Sequence, residues 1–372
     1  MVEKHSDTGF PLAEGRGEAI HVVCFNVPWP ADYGGVIDVY YRVKRLVELG
    51  WKVHLHCFTY GRAEAQELQD LCEEVHYYRR ATGWRNQLKR RPYIVASRHS
   101  EELLARLRQD SAPILLEGLH DCDVLEQLYD GRRIVYVRAH NVEHDYYHAL
   151  AKDEKKGWKR LFYMTEAAKL RRYEQVLLKA TEVWAISTND AAHFERIGCR
   201  RVRVVAPSHG NPQVTSLPGR GEYVLYHGNL LVGENVRAVR FLADHLFCER
   251  EYAFVVAGRD PDEEVVRLVQ KHSNVRLVPN PSDDEMRSLI ANAQVNVLVT
   301  DQPTGVKLKL MNALYQGRHC LANGLMVAGT PLAEACVVAD TPEAMRQQLA
   351  RLWNTEFTQE DIEMRKAILA RG

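Results

Sequence analysis

The feature that most constrains the fold is a regular alternation between short runs rich in β-branched residues and longer runs with helical spacing. The first pair is "AIHVVCFNV" (19–27) and "VIDVYYRVKRLVELG" (36–50), and a second series begins at "EYVLYHG" (222–228). The period of the first helix is marked by Ile37, Tyr40, Tyr41, Lys44 and Val47. Strands that alternate with helices form β-α-β units and parallel sheets. The sequence therefore predicts an α/β chain of two doubly wound, Rossmann-like domains.

The remaining elements follow the same rhythm. Further strands are predicted at 51–58, 113–118, 133–140, 182–187, 202–207, 252–258, 274–279, 294–300 and 318–323. Helices are predicted at 62–73, 98–110, 121–130, 143–151, 157–180, 188–198, 235–247, 261–272, 283–293 and from about 307.

A linker is predicted where the periodicity stops. The segment "SHGNPQVTSLPGRG" (208–221) holds two prolines and three glycines. The predicted domains are a flexible lead-in at 1–18, an N-terminal α/β domain at 19–207, the linker, a C-terminal α/β domain at 222–342 and a helical tail at 343–372. Ligands of open parallel sheets bind beyond the carboxyl ends of strands, so two such domains are expected to face each other across a cleft.

Composition and charge narrow the class of protein. Lys+Arg and Asp+Glu are 49 each, so no global nucleic-acid footprint is indicated. The 8 cysteines form no C-x-x-C pair, which favours a reducing cytoplasm over a disulfide framework. The first 19 residues lack the apolar core of a signal peptide, and no run of 18 apolar residues is present. A cytoplasmic location is expected.

Three loops are predicted to carry chemistry in the N-terminal domain. Gly34 and Gly35 open the first helix, where backbone N–H groups can bind an anion, although by themselves the two glycines favour an ordinary tight turn. Glu117 and His120 follow the strand "PILLEG". The next strand leads into "RAHNVEH", which holds Arg138, His140, Asn141, Glu143 and His144.

Several interpretations of "RAHNVEH" stay open. His140 and His144 are four residues apart, as metal ligands on a helix are, but the first ends a strand and the H-E-x-x-H pattern is absent. Asn141 and Glu143 can serve as helix caps. His140 is either a hydrogen-bonding group for a polar ligand or a satisfied core histidine.

The sequence contains no G-x-S-x-G and no P-loop, so the chemistry is expected to depend on a group brought in by a ligand. Two basic stretches are candidates for an anionic partner. Residues 79–98 carry seven Arg or Lys and no acid, and residues 152–179 carry nine basic and four acidic residues interleaved with aromatics. The pattern favours acidic lipid or a charged acceptor over an ordinary solvated helix face.

The stretch "PTGVKLKLMNALYQG" (303–317) predicts a helix that begins at or just after Lys307. On a helical wheel, Lys309 shares a face with Asn312 and Gln316, and the apolar residues fill the opposite arc. Cations at a helix start are unfavourable unless an anion offsets them. The layout predicts a phosphate site made by Thr304, Gly305, Lys307 and Lys309. The alternative is a pair of solvated lysines.

Seven stretches together resemble one family. They are "PADYGG", "PILLEGLH", "VRAHNVEHDYY", "AISTNDAAHF", "YHGNLLVGENVRAVRFL", "VVAGRDP" and "TGVKLKLMNALYQGRHCLAN". Their order from about 20 to 345 resembles the GT-B glycosyltransferases, and within them a bacterial variant of the large retaining group called family four.

The resemblance implies that 19–207 is the acceptor-side domain and 222–342 the nucleotide-sugar-binding domain, and it implies roles for particular residues. The diphosphate of a nucleotide-sugar would lie between Gly34–Gly35 and the helix start near Lys307, with Gly305 letting the backbone approach. His140 and Glu117 would be the catalytic pair, with His140 on the transferred sugar. The nucleotide and ribose would contact Gly258, Arg259 and Asn312. Further cleft residues would be His120, Arg138, Asn141, Gly228 and Asn229. The family needs no cofactor and no metal ion.

This chain departs from the family pattern in three ways. Thr304 and Asn312 stand where the family commonly has two glutamates. Asn229 and Glu234 stand where it has an arginine and a lysine that reach the diphosphate. Lys307 and Lys309 are additional, and the simplest interpretation is that they replace the missing cations.

The sequence thus predicts a metal-independent, retaining enzyme that moves a hexose from a nucleotide-sugar to a hydroxyl of a glycan or lipid-linked glycan. Peripheral contact with the inner face of an anionic membrane is expected, and a nucleic-acid partner is not. The alternative is a non-catalytic GT-B-like subunit that binds a glycan or a partner enzyme. A third interpretation is a nucleotide-dependent epimerase with the same fold.

Overall fold

The structure is a computed structural model that describes residues 11–249, 251–302 and 308–370. The chain divides into two compact units, Met1–Gly210 and Asn211–Gly372. Each unit is built around one parallel β-sheet.

The sheet of the N-terminal unit contains β1 (Ala19–Cys24), β2 (Lys52–Thr59), β3 (Glu74–Arg79), β4 (Ile114–Glu117), β5 (Val135–Ala139), β6 (Glu182–Ala185) and β7 (Val202–Val204). Its α-helices are α1 (Gly34–Glu48), α2 (Gln66–Leu71), α3 (Tyr93–Ala96), α4 (Glu101–Leu107), α5 (Asp123–Leu128), α6 (Glu143–Asp153), α7 (Gly157–Tyr173) and α8 (Thr188–Arg196).

The strands of this sheet are ordered β3-β2-β1-β4-β5-β6-β7. Alternate β1 residues enter different cores: Val22 packs with the α1 side and Val23 with the side of α4 and α5. Apolar side chains on both faces explain why the strand reads as a continuous hydrophobic run. The order reverses between β1 and β4, and the loops beyond their carboxyl ends are the expected place for a ligand.

The sheet of the C-terminal unit contains β8 (Tyr223–Asn229), β9 (Phe254–Arg259), β10 (Val275–Pro279), β11 (Ala293–Leu298), β12 (His319–Ala322) and β13 (Val337–Val338). Its α-helices are α9 (Gly233–His245), α10 (Glu263–Gln270), α11 (Asp283–Asn292), α12 (Leu308–Gln316), α13 (Gly324–Val327), α14 (Pro342–Asn354) and α15 (Gln359–Leu369). The order β10-β9-β8-β11-β12-β13 repeats that of the first six strands of the other unit, with its reversal between β8 and β11. The predicted doubly wound α/β class is confirmed.

Two sequence predictions about the N-terminal unit are wrong. The strand "EVHYYR" at Glu74–Arg79 was assigned to no element, although it forms the sheet edge beside β2. The buried face of α1 is also different from the predicted one. It consists of Val36, Asp38, Val39, Arg42, Val43 and Leu46. Two charged residues belong to that face, so a search for apolar residues alone selected the neighbouring stripe.

The segment after residue 210 is bonded to the C-terminal unit. The Thr215 N–H donates to the Tyr315 carbonyl at 2.7 Å, and Gly219 forms an isolated antiparallel bridge with Phe357. Arg365 of α15 is buried and donates to the carbonyls of Gly317 and Arg318 at 2.6 and 2.5 Å. The α15 helix therefore packs on the same unit as α12.

Candidate functional site

The carboxyl edge of β4 and β5 brings Glu117 and His140 together. Glu117 is the last residue of β4, and His140 directly follows β5. The Nε2 atom of His140 lies 3.1 Å from Oε2 of Glu117. Glu117 is fully buried, whereas the side chain of His140 is 10% exposed. His140 is therefore the member of this pair that can reach a ligand.

The other nitrogen of the imidazole also faces a carboxylate. Nδ1 of His140 lies 3.4 Å from Oδ2 of Asp38, a buried residue of α1. A ring held between two carboxylates is fixed in orientation and can donate from both nitrogens when it is protonated. The sequence prediction that His140 bonds a transferred sugar consequently requires the ring to leave one of these two partners.

Two arginines balance the carboxylates. Arg42 Nε donates to Glu117 Oε1 at 2.8 Å, and Arg42 also forms an ion pair with Asp38. Arg138 donates to Asp38 Oδ2 at 3.1 Å and to the Val205 carbonyl at 2.6 Å. Burial alone would raise the pKa of Asp38, but the guanidinium groups of Arg138 and Arg42 lower it well below its ordinary value.

Arg138 was predicted to line a cleft, and the structure corrects this. Its side chain is fully buried, and its guanidinium is used by Asp38 and by backbone carbonyls. Sequence reasoning missed Asp38 and Arg42 as members of the site. Their spacing of four residues on α1 was the available signal, because an acid and a base so placed lie on one helix face.

The loop after β4 holds a second group of polar residues. Asp121 is buried, and neither of its carboxylate oxygens has a hydrogen-bond partner among the described residues. Burial raises the pKa of Asp121 well above its ordinary value, and the charge of Arg98 opposes this shift. Burial, together with the charge of Arg98, lowers the pKa of the predicted residue His120 well below its ordinary value. His120 stacks near Phe25, which also contacts the ring of His140.

The start of α6 contains a buried acid with a strongly perturbed pKa. Burial, and then the charge of Glu174, raise the pKa of Glu143 to about 8, and a hydrogen bond from Asn141 opposes them. The predicted site residue Asn141 is therefore a partner of Glu143.

One group in the described part of the chain has the side chains to hold a metal ion. It consists of His144, Glu174 and His193, whose ligand atoms lie within 4.8 Å of one another. His144 Nδ1 lies 2.7 Å from one oxygen of Glu174, and His193 Nε2 lies 3.0 Å from the other. Both carboxylate oxygens already have imidazole partners, so the group is complete as a hydrogen-bonded cluster. It does not contain His140, contrary to the metal alternative considered for the sequence.

The Gly34–Gly35 pair forms the first turn of α1, as predicted. The turn contains no acidic residue, and Tyr33 provides no side-chain cap. A Cβ atom on Gly35 would lie 3.1 Å from the ring of Phe25. The N–H groups in the exposed first turn of α1 can therefore donate hydrogen bonds to an anion.

In the C-terminal unit, Gly228 and Gly258 pair in register at the ends of β8 and β9. A Cβ atom on Gly258 would lie 1.7 Å from the Gly228 carbonyl oxygen. This contact gives Gly258 a packing role, where the sequence prediction assigned it to the nucleotide. Asn229 and Arg259 follow in register and are exposed at the same edge.

Lys309 contacts three residues of the segment around β8 and α9. Its Nζ donates to Asn235 Oδ1 at 2.7 Å, lies 5.4 Å from the centre of the Tyr226 ring, and is 4.0 Å from Glu234 Oε1. The side chain is only 12% exposed. Glu234 also accepts a hydrogen bond from Thr300 Oγ1 at 2.5 Å. Lys309 thus lies beside Glu234, the acid at the position where the resemblance led us to expect a lysine.

This arrangement changes the interpretation of Lys309. The sequence predicts a lysine that supplies a missing positive charge to a diphosphate. The structure pairs that charge with Glu234, so it is balanced within the unit. Thr304, Gly305 and Lys307, the other predicted members of this phosphate site, lie outside the described residues.

Asn312 is engaged by the segment that precedes β8. Its Oδ1 accepts from Asn211 Nδ2 at 2.9 Å, and Gln316 donates to Asn211 Oδ1 at 2.5 Å. The predicted polar face of α12 is therefore present. A ribose hydroxyl would have to compete with Asn211 for Asn312.

Comparison with known proteins connects these features to a family. Residues 221–355 match the model of the family described as glycosyl transferases group 1. The match lies within the C-terminal unit, Asn211–Gly372. The matched region contains the Gly228–Gly258 pair, Glu234, Lys309 and Asn312, and the predicted enzyme class, a nucleotide-sugar glycosyltransferase, is confirmed.

Similar structures extend the likeness to the whole chain. A glycosyltransferase from Rickettsia africae has a TM-score of 0.62 and 12% identity, covering 96% of this chain and 94% of its own. Anabaena Alr3699/HepE, solved with UDP and glucose, has a TM-score of 0.58 and 13% identity, covering 94% and 92%. These similarities show that the glycosyltransferase has the GT-B fold, as predicted.

A curated relative is similar in sequence. It is an uncharacterized 44.6 kDa protein in the cps region of Klebsiella pneumoniae, 24% identical over 333 residues and covering 84% of each chain. A search of the described helices of the glycosyltransferase finds none that is long and apolar enough to cross a membrane.

Proposed function

We propose that the glycosyltransferase moves a hexose from a nucleoside-diphosphate sugar to a hydroxyl of a glycan or lipid-linked glycan, with retention and without a metal ion or other cofactor. The relative from a cps region supports a place in bacterial polysaccharide biosynthesis. The Anabaena structure solved with UDP and glucose supports a nucleotide-sugar donor. The proposed location is the cytoplasm, with peripheral contact at the inner face of the cytoplasmic membrane.

The observation that carries the proposal is the chain of contacts Thr300–Glu234–Lys309 within the matched region. Thr300 follows β11, Glu234 begins α9, and Lys309 is in the first turn of α12. These contacts join the loops on both sides of the strand-order reversal, where a ligand is expected. A leaving diphosphate would be stabilised there by helix N-termini and cations.

The proposed role of the N-terminal unit rests on His140 and Glu117. Glu117 and Asp38 hold the imidazole ring, and the buried Arg42 and Arg138 form ion pairs with these carboxylates. His140 would release one of these carboxylates and donate a hydrogen bond to the transferred sugar, and the N–H groups at Gly34–Gly35 would bind a phosphate. Glu117 is too deeply buried to touch a substrate, so we assign it a positioning role.

The experiment is incubation of the purified chain with UDP-, GDP- and dTDP-sugars, with release of nucleoside diphosphate as the readout. Turnover with one donor, accompanied by a thermal shift from the matching diphosphate, is expected. Changing Lys307 and Lys309 to Ala should weaken diphosphate binding about tenfold, since the proposal assigns both of these charges to the phosphate. Lys271→Ala, an exposed lysine of the same unit, is the matched control and should leave binding unchanged. Absence of turnover and of any thermal shift would overturn the proposal.

A second candidate is a non-catalytic GT-B-like subunit that binds a glycan or a partner enzyme. The pairing of Lys309 with Glu234 and the engagement of Asn312 by Asn211 favour it, because both reduce the groups available to a nucleotide. Calorimetric titration with the three nucleoside diphosphates separates the two candidates. If the chain binds a diphosphate but transfers sugar from none of the donors, the result would favour a non-catalytic subunit that has kept its donor site.

A further inference from the structure

Large apolar side chains are exposed on one part of the N-terminal unit. They are Trp84 (66% exposed), Leu88 (76%), Trp158 (70%), Leu161 (63%) and Met164 (48%). We call these five residues the Trp158 surface. The last three recur every third residue along α7, so they occupy one side of that helix within about 120°.

The two segments that carry this surface are in contact. Lys169 Nζ donates to the Gln87 carbonyl at 2.8 Å, next to Leu88. The rings of Tyr93 and Phe162 meet edge to face at 6.2 Å. Gln87 also lines a shallow groove with Trp158 and Leu161. The exposed apolar residues of the two segments therefore lie close together on one surface.

Positive charge surrounds the Trp158 surface. Neither 79–98 nor 155–165 contains an acidic residue, although the chain as a whole has a formal net charge of zero. The exposed basic residues of the two segments include Arg85, Lys89, Arg90, Lys155, Lys156 and Arg160. Lys159 lies 5.7 Å from the centre of the Trp158 ring, and its charge is held beside the most exposed tryptophan.

This combination discriminates among partners. Protein interfaces are depleted in lysine, particularly at their centres. Single-stranded nucleic acids bind by stacking successive bases on aromatic rings, whereas three of the five exposed residues, Leu88, Leu161 and Met164, are not aromatic. Tryptophan, aliphatic side chains and a rim of lysine and arginine are the composition that enters the headgroup region of an anionic bilayer.

We propose that the Trp158 surface docks the glycosyltransferase on an anionic lipid bilayer. The apolar side chains enter the interface, and the surrounding lysines and arginines contact lipid phosphates. Docking there would bring the enzyme to a lipid-linked acceptor, a consequence that rests on the proposed function. The docking itself requires neither donor nor acceptor.

The test is co-sedimentation with vesicles of phosphatidylcholine alone or with about 30% phosphatidylglycerol. We expect binding to the anionic vesicles that weakens in about 0.5 M sodium chloride. Trp158→Ser with Leu161→Ser should weaken binding about tenfold, since two side chains no longer enter the interface. Leu217→Ser with Met364→Ser, at similarly exposed positions of the C-terminal unit, is the matched control and should bind like the wild type.

Two results would overturn the proposal. One is a wild-type chain that stays in the supernatant with anionic vesicles. The other is an equal loss of binding in the test and control variants. The competing occupant of this surface is a second copy of the chain. Sedimentation velocity without vesicles would then show a dimer for the wild type and a monomer for the variant with Trp158→Ser and Leu161→Ser. Donor hydrolysis in vesicle-free solution is measured in parallel, so failure of docking and failure of the proposed transfer are distinguished.

Discussion

Oε2 of Glu117 lies 3.1 Å from Nε2 of His140, so a fully buried acid contacts a ring that is 10% exposed. The acid ends β4 and the imidazole follows β5, so adjacent parallel strands place them side by side. Through Glu117 and Asp38, an almost buried ring is connected to two fully buried arginines. The orientation of the His140 ring thus depends on charges in the interior.

Replacement of Glu117 tests this dependence. Glu117→Ala leaves the buried Arg42 with one carboxylate partner in place of two, and the expected loss in free energy of unfolding is about 3–5 kcal/mol. Glu117→Gln should cost less, because an amide oxygen still accepts from Arg42. Urea denaturation measures both. Glu48→Ala is the control, since its pair with Arg45 is exposed and should change stability by less than about 0.5 kcal/mol. If Glu48→Ala and Glu117→Ala lowered the free energy of unfolding by similar amounts, the result would contradict a stabilising role for the buried ion pairs of Glu117.

Lys309 and Glu234 should be energetically coupled. A double-mutant cycle with Lys309→Met and Glu234→Gln is expected to give about 0.5–1 kcal/mol in unfolding free energy, since both side chains are mostly buried but 4.0 Å apart. The control cycle is Arg267 with Glu263, a pair at 3.8 Å whose side chains are 67% and 93% exposed. Its coupling should be near zero because water screens it. Equal coupling in the two cycles would show that the burial of Lys309 has no energetic consequence.

Glu143 should make stability fall as pH rises. Its pKa in the folded chain is about 8, raised from an ordinary value of 4.5, so the folded state holds a proton that the unfolded state has lost between these values. The contribution of the neutral acid is lost as pH rises towards 8, by about 2 kcal/mol from pH 6 to pH 8. Glu143→Gln should remove this slope, and the exposed Glu195→Gln should keep it. Urea denaturation at both pH values is the measurement. An unchanged slope in Glu143→Gln would assign the pH dependence to other groups.

Gly258 should not tolerate a side chain. Gly258→Ala places a Cβ atom 1.7 Å from the Gly228 carbonyl oxygen, so β8 and β9 must separate, at a cost of about 3 kcal/mol or more. Gly233→Ala is the control, because its added Cβ meets only the flexible end of Arg237 at 3.4 Å. Thermal unfolding of both variants gives the comparison. A Gly258→Ala protein as stable as Gly233→Ala would mean that the strands can move apart without cost.

Local chemistry explains why much of the architecture could be predicted. Runs such as "AIHVVC" are buried on both faces, and short apolar β-branched runs between turn signals indicate such strands. The edge strand "EVHYYR" was missed because its polar residues give no continuous apolar run. The helix α1 was found, but its buried face was not, because Asp38 and Arg42 occupy positions where apolar residues were expected.

The sequence predicted several residues of the candidate site correctly, but it predicted their roles less well. Glu117 and His140 were selected because they lie at strand ends, and they are in contact. Arg138 was selected for the same reason and is buried, since the direction of a side chain at a strand end depends on the neighbouring strands and helices. Asn312 was assigned to a ligand, yet Asn211 from a stretch without periodicity covers it.

The sequence by itself determined the two doubly wound units, because the alternation of strand and helix patterns depends on residues close together in the chain. Only the tertiary structure decided which charges meet. Asp38 and Arg138 are a hundred residues apart, and Lys309 is far along the chain from Glu234. Parallel strands bring their carboxyl ends to one edge of the sheet whatever their separation in sequence. The order of the strands decides which of these ends are neighbours, and local periodicity does not predict that order.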